Sequence, residues 1–213
     1  MKVINLSKWF IMMLLLLTLT ACSSYDTFLE EPLQAKQETA AVSIEINPKI
    51  NEKANAPSDL DEIAVKYVSA YDADTYTFQL INSNDRSKIK SLSKNNKNTI
   101  KVRALLVDAS EIKGKDDKPE PFAIEARDAA RKLLEQASNI SLSYDIGART
   151  DHYDRNLMYV KIDGILLSIP LLEEGLLQIA YVKPPNTKYL TEYEEAQEIA
   201  KAKNLGLWSL NYK

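Results

Sequence analysis

The chain has 213 residues with one Cys, one His and five Gly, and its formal net charge is −3 at pH 7. A single Cys (Cys22) and a single His (His152) exclude an intrachain disulfide, a cysteine-built metal centre and a multi-histidine site, and the charge excludes a protein that binds DNA through an overall positive surface. The carboxylates, arginines and tyrosines that remain are suited to hard cations and phosphate groups.

The first segment has the features of a removable leader. Lys2 and Lys8 give it a basic start, and Trp9–Leu19 is apolar except for Thr18. This run is too short to span a bilayer and predicts a signal peptide over residues 1–21. The sequence Leu-Thr-Ala-Cys22 resembles a bacterial lipobox, which implies cleavage before Cys22, a lipid on its sulfur and a lipid-anchored protein on the extracytoplasmic face of the cell membrane. The alternative is an ordinary secretory signal with an incidental Cys.

Residues 22–62 are predicted to form a disordered acidic tether after the lipidated Cys. Between residues 23 and 62 there are three Lys and nine Asp or Glu, with little apolar periodicity. Such a stretch cannot bury enough apolar surface to offset its chain entropy.

Residues 63–213 are predicted to be one folded domain. Alternating apolar residues predict strands near residues 63–67, 76–80, 100–106, 140–144 and 157–162. Apolar spacings of three and four residues predict helices at Pro121–Ala137, Pro170–Glu174 and Tyr189–Lys203, with a buried Trp208 after the last one. Five short strands with interspersed helices favour an α+β fold that is mainly β: a five-stranded OB-type barrel with about three packed helices.

A set of acids and arginines could carry chemistry if the fold brought it together. Taken singly, each residue is more readily explained as a turn former or a surface ion pair. Taken together, carboxylates could hold a hard divalent cation while two guanidinium groups bind a phosphate in two-pronged fashion. The candidates are Asp72, Asp74, Arg103, Asp108, Glu111 and Arg155.

Several motifs resemble those of the thermonuclease family, also called the staphylococcal or micrococcal nuclease family. They run from about residue 63 to 209, and the separations between Asp108, Arg155, Tyr181 and Trp208 match the family without a gap. The matching stretches are Asp72-Ala-Asp-Thr75, Arg103-Ala-Leu-Leu-Val-Asp-Ala-Ser-Glu111, Gly147-Ala-Arg-Thr-Asp-His-Tyr-Asp-Arg155, Ala180-Tyr-Val182, Pro184-Pro-Asn186 and Asn204-Leu-Gly-Leu-Trp-Ser209.

The resemblance implies a Ca²⁺-dependent endonuclease that hydrolyses DNA and RNA and leaves 3′-phosphates. The implied metal ligands are Asp74, Asp108, the backbone carbonyl of Ala109 and, directly or through water, Glu111. Glu111 is implied as the general base, Arg103 and Arg155 as the phosphate clamp, Asp72 as support for the metal site, and Tyr153, Tyr181 and Lys183 as substrate contacts. We expect a monomer with no protein partner. The alternative is an OB-fold lipoprotein that binds nucleic acid without cleaving it.

The chain departs from the family pattern at several positions near the site. Ala73 replaces a turn glycine, so this turn is expected to avoid positive φ or to be strained. Asp154 stands where a glycine is usual and could pair with Arg155 or repel phosphate. The other departures are Ser110 for proline, His152 for lysine, Asn156 for glycine and Lys183 for tyrosine.

The connection between Asp74 and Arg103 is about fifteen residues longer than is usual in the family. The surplus lies within residues 82–98 and is basic, with Asp85 as its one acid. It could be a solvated hairpin tip or an added arm that contacts phosphates. Its cations are Arg86, Lys88, Lys90, Lys94 and Lys97.

Overall fold

A computed structural model describes residues 62–94, 96 and 98–210. The predicted signal peptide, the lipidation site Cys22, the tether up to residue 61, and Lys97 lie outside the described residues. In the described part of the chain, no helix has both the length and the apolar character needed to cross a bilayer.

Five strands close into a barrel. β1, β2 and β3 form an antiparallel meander, β5 pairs with β1, and β6 pairs antiparallel with β5 and parallel with β3, which closes the sheet. Short strands add to its ends: β7 pairs with β6, and β4 pairs with β8. The strands are β1 (Ile63–Ala70), β2 (Thr75–Leu80), β3 (Thr99–Ala104), β4 (Val107–Asp108), β5 (Ile140–Tyr144), β6 (Asn156–Ile162), β7 (Ile165–Leu166) and β8 (Gln178–Ile179).

Alternation along the strands puts the apolar side chains inside the barrel. Phe78, Ile100, Val102, Leu142 and Met158 are fully buried. Burial of each such side chain stabilises the fold by about 1.5–3 kcal/mol. The intervening residues of β2 and β3 face outward, and this outer face carries the polar groups described below.

Three described helices pack on the barrel: α1 (Ala123–Gln136), α2 (Ser168–Glu173) and α3 (Leu190–Lys203). Small residues such as Ala126 and Ala130 on α1 are completely buried, so the helix can approach the sheet closely. The prediction of an OB-type five-stranded barrel with helices is therefore confirmed.

Element ends differ from the predictions where the backbone turns sharply. β3 ends at Ala104 rather than at residue 106, because Leu106 has a φ of 67°. α1 begins at Ala123 rather than at Pro121, since Phe122 has a φ of 63°. Trp208, predicted to be buried, is half-buried. α2 is followed by Gly175, where a Cβ would lie 2.3 Å from the carbonyl oxygen of Leu205.

The long β2–β3 connection is not a free tip. It contains a 3₁₀ helix, Ser83–Lys88, followed by the buried Ile89 and the half-buried Leu92. These two apolar side chains dock the segment on the barrel, which the cation-rich sequence around them did not suggest.

Candidate active site

The predicted site residues converge on one cleft of about 880 Å³. It is formed by the β1–β2 turn, the end of β3 with the residues after it, the 148–155 loop and the 181–186 loop. All of the predicted side chains line it: Asp72, Asp74, Arg103, Asp108, Glu111, Tyr153, Arg155, Tyr181 and Lys183.

The β1–β2 turn is built around the Asp72 carboxylate. Its Oδ1 accepts the backbone N–H of Asp74 at 3.1 Å and that of Thr75 at 2.7 Å. Burial raises the pKa of Asp72, although the Thr75 N–H and the charge of Arg103 oppose this effect. Ala73 is fully buried and has no positive φ, so the replacement of the family's glycine leaves the turn without that strain.

Arg103 links the two acids predicted to bind metal. It projects from the end of β3, and only 9% of its surface is exposed. Its Nη1 forms an ion pair with Asp74 Oδ2, and its Nη2 donates to Asp108 Oδ1 at 3.0 Å. Asp74 Oδ2 also accepts the backbone N–H of Ala109 at 2.9 Å. The two carboxylates therefore lie within the width of one guanidinium group.

Arg155 is held by Asp151. Its Nε donates to Asp151 Oδ2 at 2.7 Å, while Asp151 Oδ1 accepts the backbone N–H groups of Tyr153 and Arg155, each at 2.9 Å. Of the two outcomes considered for Asp154, the pairing with Arg155 does not form, because Arg155 pairs with Asp151 instead. Asp154 is exposed and has a φ of 60°, a conformation that explains why a glycine suits this position.

Thr75 connects the two arginines. Its hydroxyl accepts from Arg155 Nη1 at 3.1 Å and donates to Asp74 Oδ1 at 2.9 Å. A continuous chain of hydrogen bonds and ion pairs therefore runs from Asp151 through Arg155, Thr75 and Asp74 to Arg103.

Glu111 lies at the rim of the cleft with an exposed side chain. The surrounding protein partly desolvates its carboxyl and raises the pKa, the Asp72, Asp108 and Glu120 carboxylates raise it further, and Arg103 opposes them. Glu120 closes the loop that follows: its Oε2 accepts the Glu111 N–H at 2.9 Å, and its own N–H donates to the Glu111 carbonyl at 3.0 Å.

The aromatic side chains are on the open side of the cleft. Tyr153 is 70% exposed and its ring centroid lies 5.5 Å from Cζ of Arg155. Tyr181 is 62% exposed and its ring centroid lies 5.3 Å from Cζ of Arg103. Lys183 is exposed on the same loop as Tyr181. Each arginine is thus accompanied by a solvent-accessible tyrosine.

Asn186 joins two walls of the cleft. Its Oδ1 accepts the N–H of Gly147 at 2.6 Å, and its Nδ2 donates to the carbonyl of Ala148 at 2.8 Å. A Cβ on Gly147 would lie 2.5 Å from Asn186 Oδ1, so this close approach requires glycine. The two loops are therefore positioned relative to each other.

The chemistry of the donors suits a hard cation. Among the described residues no three His, Cys, Asp or Glu side chains gather in a metal-binding group. The two adjacent carboxylates, Asp74 and Asp108, already share one positive group, the Arg103 guanidinium. Ca²⁺ accepts carboxylates, backbone carbonyls and water as ligands, so two carboxylates are a compatible protein contribution.

Three residues whose hydrogen bonds hold the site together were not identified by the sequence analysis. Thr75 and Asp151 stand inside motifs, and Glu120 follows the third strand at some distance. A signal existed for Asp151, since an Asp two residues before a turn position often accepts backbone N–H groups. The contacts of Thr75 and Glu120 depend on the folded arrangement of separate segments.

Comparison with known proteins agrees with this geometry. Residues 101–210 match the family described as "Staphylococcal nuclease homologue". The SPbeta prophage-derived endonuclease YokF of Bacillus subtilis (strain 168) is 32% identical over 195 residues, covering 92% of this chain and 63% of that protein. Endonuclease YncB of the same organism is 37% identical over 125 residues, covering 59% and 58% of the two chains. Thermonuclease of Staphylococcus intermedius is 32% identical over 108 residues, covering 51% and 62%.

The chain spans about three fifths of the length of these relatives. The family match covers more than half of the chain and includes Arg103, Asp108, Glu111 and Arg155. With the closed barrel and the cleft that these residues line, the chain belongs to the staphylococcal nuclease homologue family.

Proposed function

We propose that this protein hydrolyses phosphodiester bonds of DNA and RNA with Ca²⁺ as its cofactor and leaves 3′-phosphates. The observation that carries the proposal is the convergence of Arg103 and Arg155 with the acids Asp74, Asp108 and Glu111 in one open cleft. The names of the relatives, two endonucleases and a thermonuclease, support it.

The two arginines are the proposed phosphate-binding groups. Arg155 uses Nε for Asp151 and one Nη1 hydrogen for Thr75, which is two of its five N–H donors. The remaining donors can form a two-pronged contact with phosphate oxygens. Arg103 adds a second guanidinium, and both groups stabilise the negative charge that increases on phosphorus-bound oxygens during attack.

Glu111 is the proposed acceptor of the proton from the attacking water. Its raised pKa makes it a stronger base than an ordinary glutamate. As the water oxygen bonds to phosphorus, the water proton passes to the Glu111 carboxylate. The bond from phosphorus to the 5′ oxygen breaks, the 5′ oxygen takes a proton from solvent, and the phosphate stays on the 3′ side.

Asp74, Asp108 and the carbonyl of Ala109 would hold the Ca²⁺, with Glu111 beside them. The ion would supply positive charge next to the phosphate. In this structure the Arg103 guanidinium bridges Asp74 and Asp108, so a positive group already lies next to the two carboxylates that would hold the ion.

The exposed residues of the cleft are proposed to contact the terminal phosphate and sugar of the substrate. Tyr153 and Tyr181 can donate their hydroxyls to a terminal phosphate or contact a sugar, and Lys183 adds a positive charge. These residues are proposed to bind substrate, not to take part in proton transfer.

We also propose that the mature protein is anchored outside the cytoplasm by a lipid on Cys22 and works as a monomer. The support is the lipobox-like sequence ahead of Cys22. Incorporation of a labelled fatty acid, abolished by Cys22→Ser together with release of the protein from the membrane, tests the anchor. A wild-type protein that takes up no label contradicts it.

The reaction is tested by the ends of its products. Labelled single-stranded DNA and RNA are digested with Ca²⁺, and the fragments are examined for 3′-phosphate and 5′-hydroxyl ends. Arg155→Lys should slow the reaction, whereas Arg131→Lys on α1, which does not line the cleft, should not. Fragments with 5′-phosphates would contradict the assigned bond cleavage, and binding without cleavage would favour the non-catalytic alternative.

A further inference from the structure

The described cations of the β2–β3 connection fall into two groups, those whose side chains have a polar partner within the connection and those whose side chains form no ion pair. Arg86 donates from Nε to Asn98 Oδ1 at 2.8 Å, and Lys88 pairs with Asp85 at 2.9 Å. Lys90 and Lys94 are exposed, and within the described residues their side chains form no ion pair. From residue 86 to residue 107 the sequence contains no Asp or Glu at all.

Asn156 fastens this connection beside β3. It is fully buried, and its Nδ2 donates to the Ser91 carbonyl at 2.8 Å and to the Lys101 carbonyl at 3.0 Å. Its Oδ1 accepts the Ser91 N–H at 3.1 Å. Because one amide group binds both backbones, residues 90–92 lie directly alongside Lys101.

Two further bonds extend this contact. The Ser93 N–H donates to the Thr99 carbonyl at 3.0 Å, so Lys94 follows next to the start of β3. The Lys90 N–H donates to the Tyr144 hydroxyl at 2.9 Å. The segment that carries Lys90 and Lys94 is therefore held at both of its ends.

β3 connects this segment to the cleft. Lys101 is exposed and lies two residues before Arg103, so the two side chains project from the same outer face of the strand, about 7 Å apart along it. Opposite them on β2 are Thr77 and Thr75, which face outward as well. The outer face of β3 thus continues the phosphate-binding chemistry of the cleft without an acid in between.

We propose that Lys90, Lys94 and Lys101, here called the basic extension, bind the phosphates of a single-stranded nucleic acid whose scissile bond lies at Arg103 and Arg155. This inference rests on the proposed function. Cations on β3 and on the segment held beside it fit a single sugar–phosphate backbone. An OB barrel offers the face of its second and third strands for oligonucleotides. The substrate of this site is therefore a strand several nucleotides long.

The test compares two charge-matched triple variants. Lys90→Gln/Lys94→Gln/Lys101→Gln removes the basic extension. Arg131→Gln/Lys132→Gln/Lys203→Gln removes three cations from α1 and α3, none of which lines the cleft. Affinity is measured by fluorescence anisotropy over a series of salt concentrations, with a chelator present so that the strand is not consumed. The probes are a single strand of about 16 nucleotides, a duplex of the same sequence, and a dinucleotide that reaches only the cleft.

Each phosphate contact contributes about 0.7 to the slope of log K against log salt for a single strand. The extension variant should therefore show a slope shallower by about 2 units on the long single strand. Its affinity ratio between long strand and dinucleotide should fall, while the control variant keeps the wild-type slope. A slope equal to that of the control, or a change confined to the duplex, would overturn the proposal.

Cleavage by the same proteins separates the two proposals. If the extension variant and wild type both cleave but have the same slope of log K against log salt, the proposal for the basic extension is wrong and the nuclease proposal stands. If wild type neither binds nor cleaves any probe, both are wrong. Thermal unfolding midpoints verify that each triple variant is folded, and Lys101→Gln alone, expected to flatten the slope by about 0.7, serves if the triple variant is not.

Discussion

The two sides of the cleft are built differently. On one side, Asp74 is 3% exposed and Arg103 9% exposed, and both are tied into a continuous network of hydrogen bonds and ion pairs. On the other, Tyr153 and Tyr181 are mostly exposed and touch the site through the faces of their rings. The charged groups proposed to act on the phosphate are held by many bonds, and the groups proposed to contact the rest of the substrate are left accessible. This contrast predicts large effects on the bonded side and small ones on the open side.

The largest effect is expected at Glu111, an exposed rim residue that lies outside this contrast because its proposed role is proton transfer. Glu111→Gln keeps the size of the side chain but cannot accept the water proton, and a general base contributes roughly 10²–10⁴ in rate. Single-turnover cleavage with saturating enzyme measures this step directly. Glu194→Gln, on the exposed face of α3, is the matched control and should cleave like wild type. A Glu111→Gln rate within threefold of wild type would remove the assigned role.

Arg103→Lys should be next. Lysine cannot bind Asp74, Asp108 and phosphate at once, and loss of one preorganised donor to developing charge costs roughly 10²–10³ in kcat. Steady-state kinetics with a fixed oligonucleotide measures the loss. If the rate falls no further than for Arg131→Lys, Arg103 does not act on the reacting phosphate.

The metal that supports cleavage should be determined by the chemistry of the ligand atoms. Because the assigned metal ligands are all oxygens, chelator-treated protein should recover cleavage with Ca²⁺ and very little with Zn²⁺. Asp108→Asn should raise the Ca²⁺ concentration needed for half-maximal rate without unfolding the barrel. Full recovery with Zn²⁺ alone would contradict the assigned donor set.

Substitution of Asp151 should have a smaller effect, which is on the free energy of unfolding and depends on pH. Burial alone would raise the pKa of Asp151, but the N–H groups and the charge of Arg155 outweigh it, and the pKa lies below its ordinary value. A lowered pKa stabilises the fold above the unfolded-state pKa of about 3.9, and that stability is lost as the pH falls through the folded-state value. Urea unfolding from pH 6 down to about pH 2 should show a shallower decline for Asp151→Asn than for wild type. Parallel curves would mean that the Arg155 contact is too weak to matter.

The smallest change is expected on the open side. Tyr181→Phe removes a hydroxyl but keeps the ring next to Arg103, so the loss should be about 1 kcal/mol or less, within roughly tenfold in KM, with kcat nearly unchanged. A loss of kcat as large as that of Arg103→Lys would contradict the expected difference between the two sides of the cleft.

Much of the fold could be predicted because apolar alternation is a local signal. The strands around Phe78, Ile100 and Leu142 follow from it, as does the buried alanine face of α1. The exceptions were set by backbone conformation: Leu106 and Phe122 at positive φ ended one element early and started another late. The docking of the β2–β3 connection depends on Asn156, which is more than fifty residues away from Ser91 and Lys101 in sequence.

The candidate site was predictable as a set of residues but not as a network. The spacing from Arg103 to Asp108 to Glu111 is visible in the sequence, and the resemblance to a family gave those positions their expected roles. That Arg103 bridges both acids, and that Thr75 joins the two arginines, follows from the parallel pairing of β3 with β6 and the turn before β2. Such contacts arise only when the barrel closes.

Cleavage of a labelled single-stranded oligonucleotide by the wild-type protein, with Ca²⁺ and with a chelator, tests the central claim most directly. If the cleft hydrolyses phosphodiester bonds, the strand is cut to short products with Ca²⁺ and stays intact with the chelator. A strand that is bound but remains intact under both conditions would contradict the account and leave a binding barrel in its place.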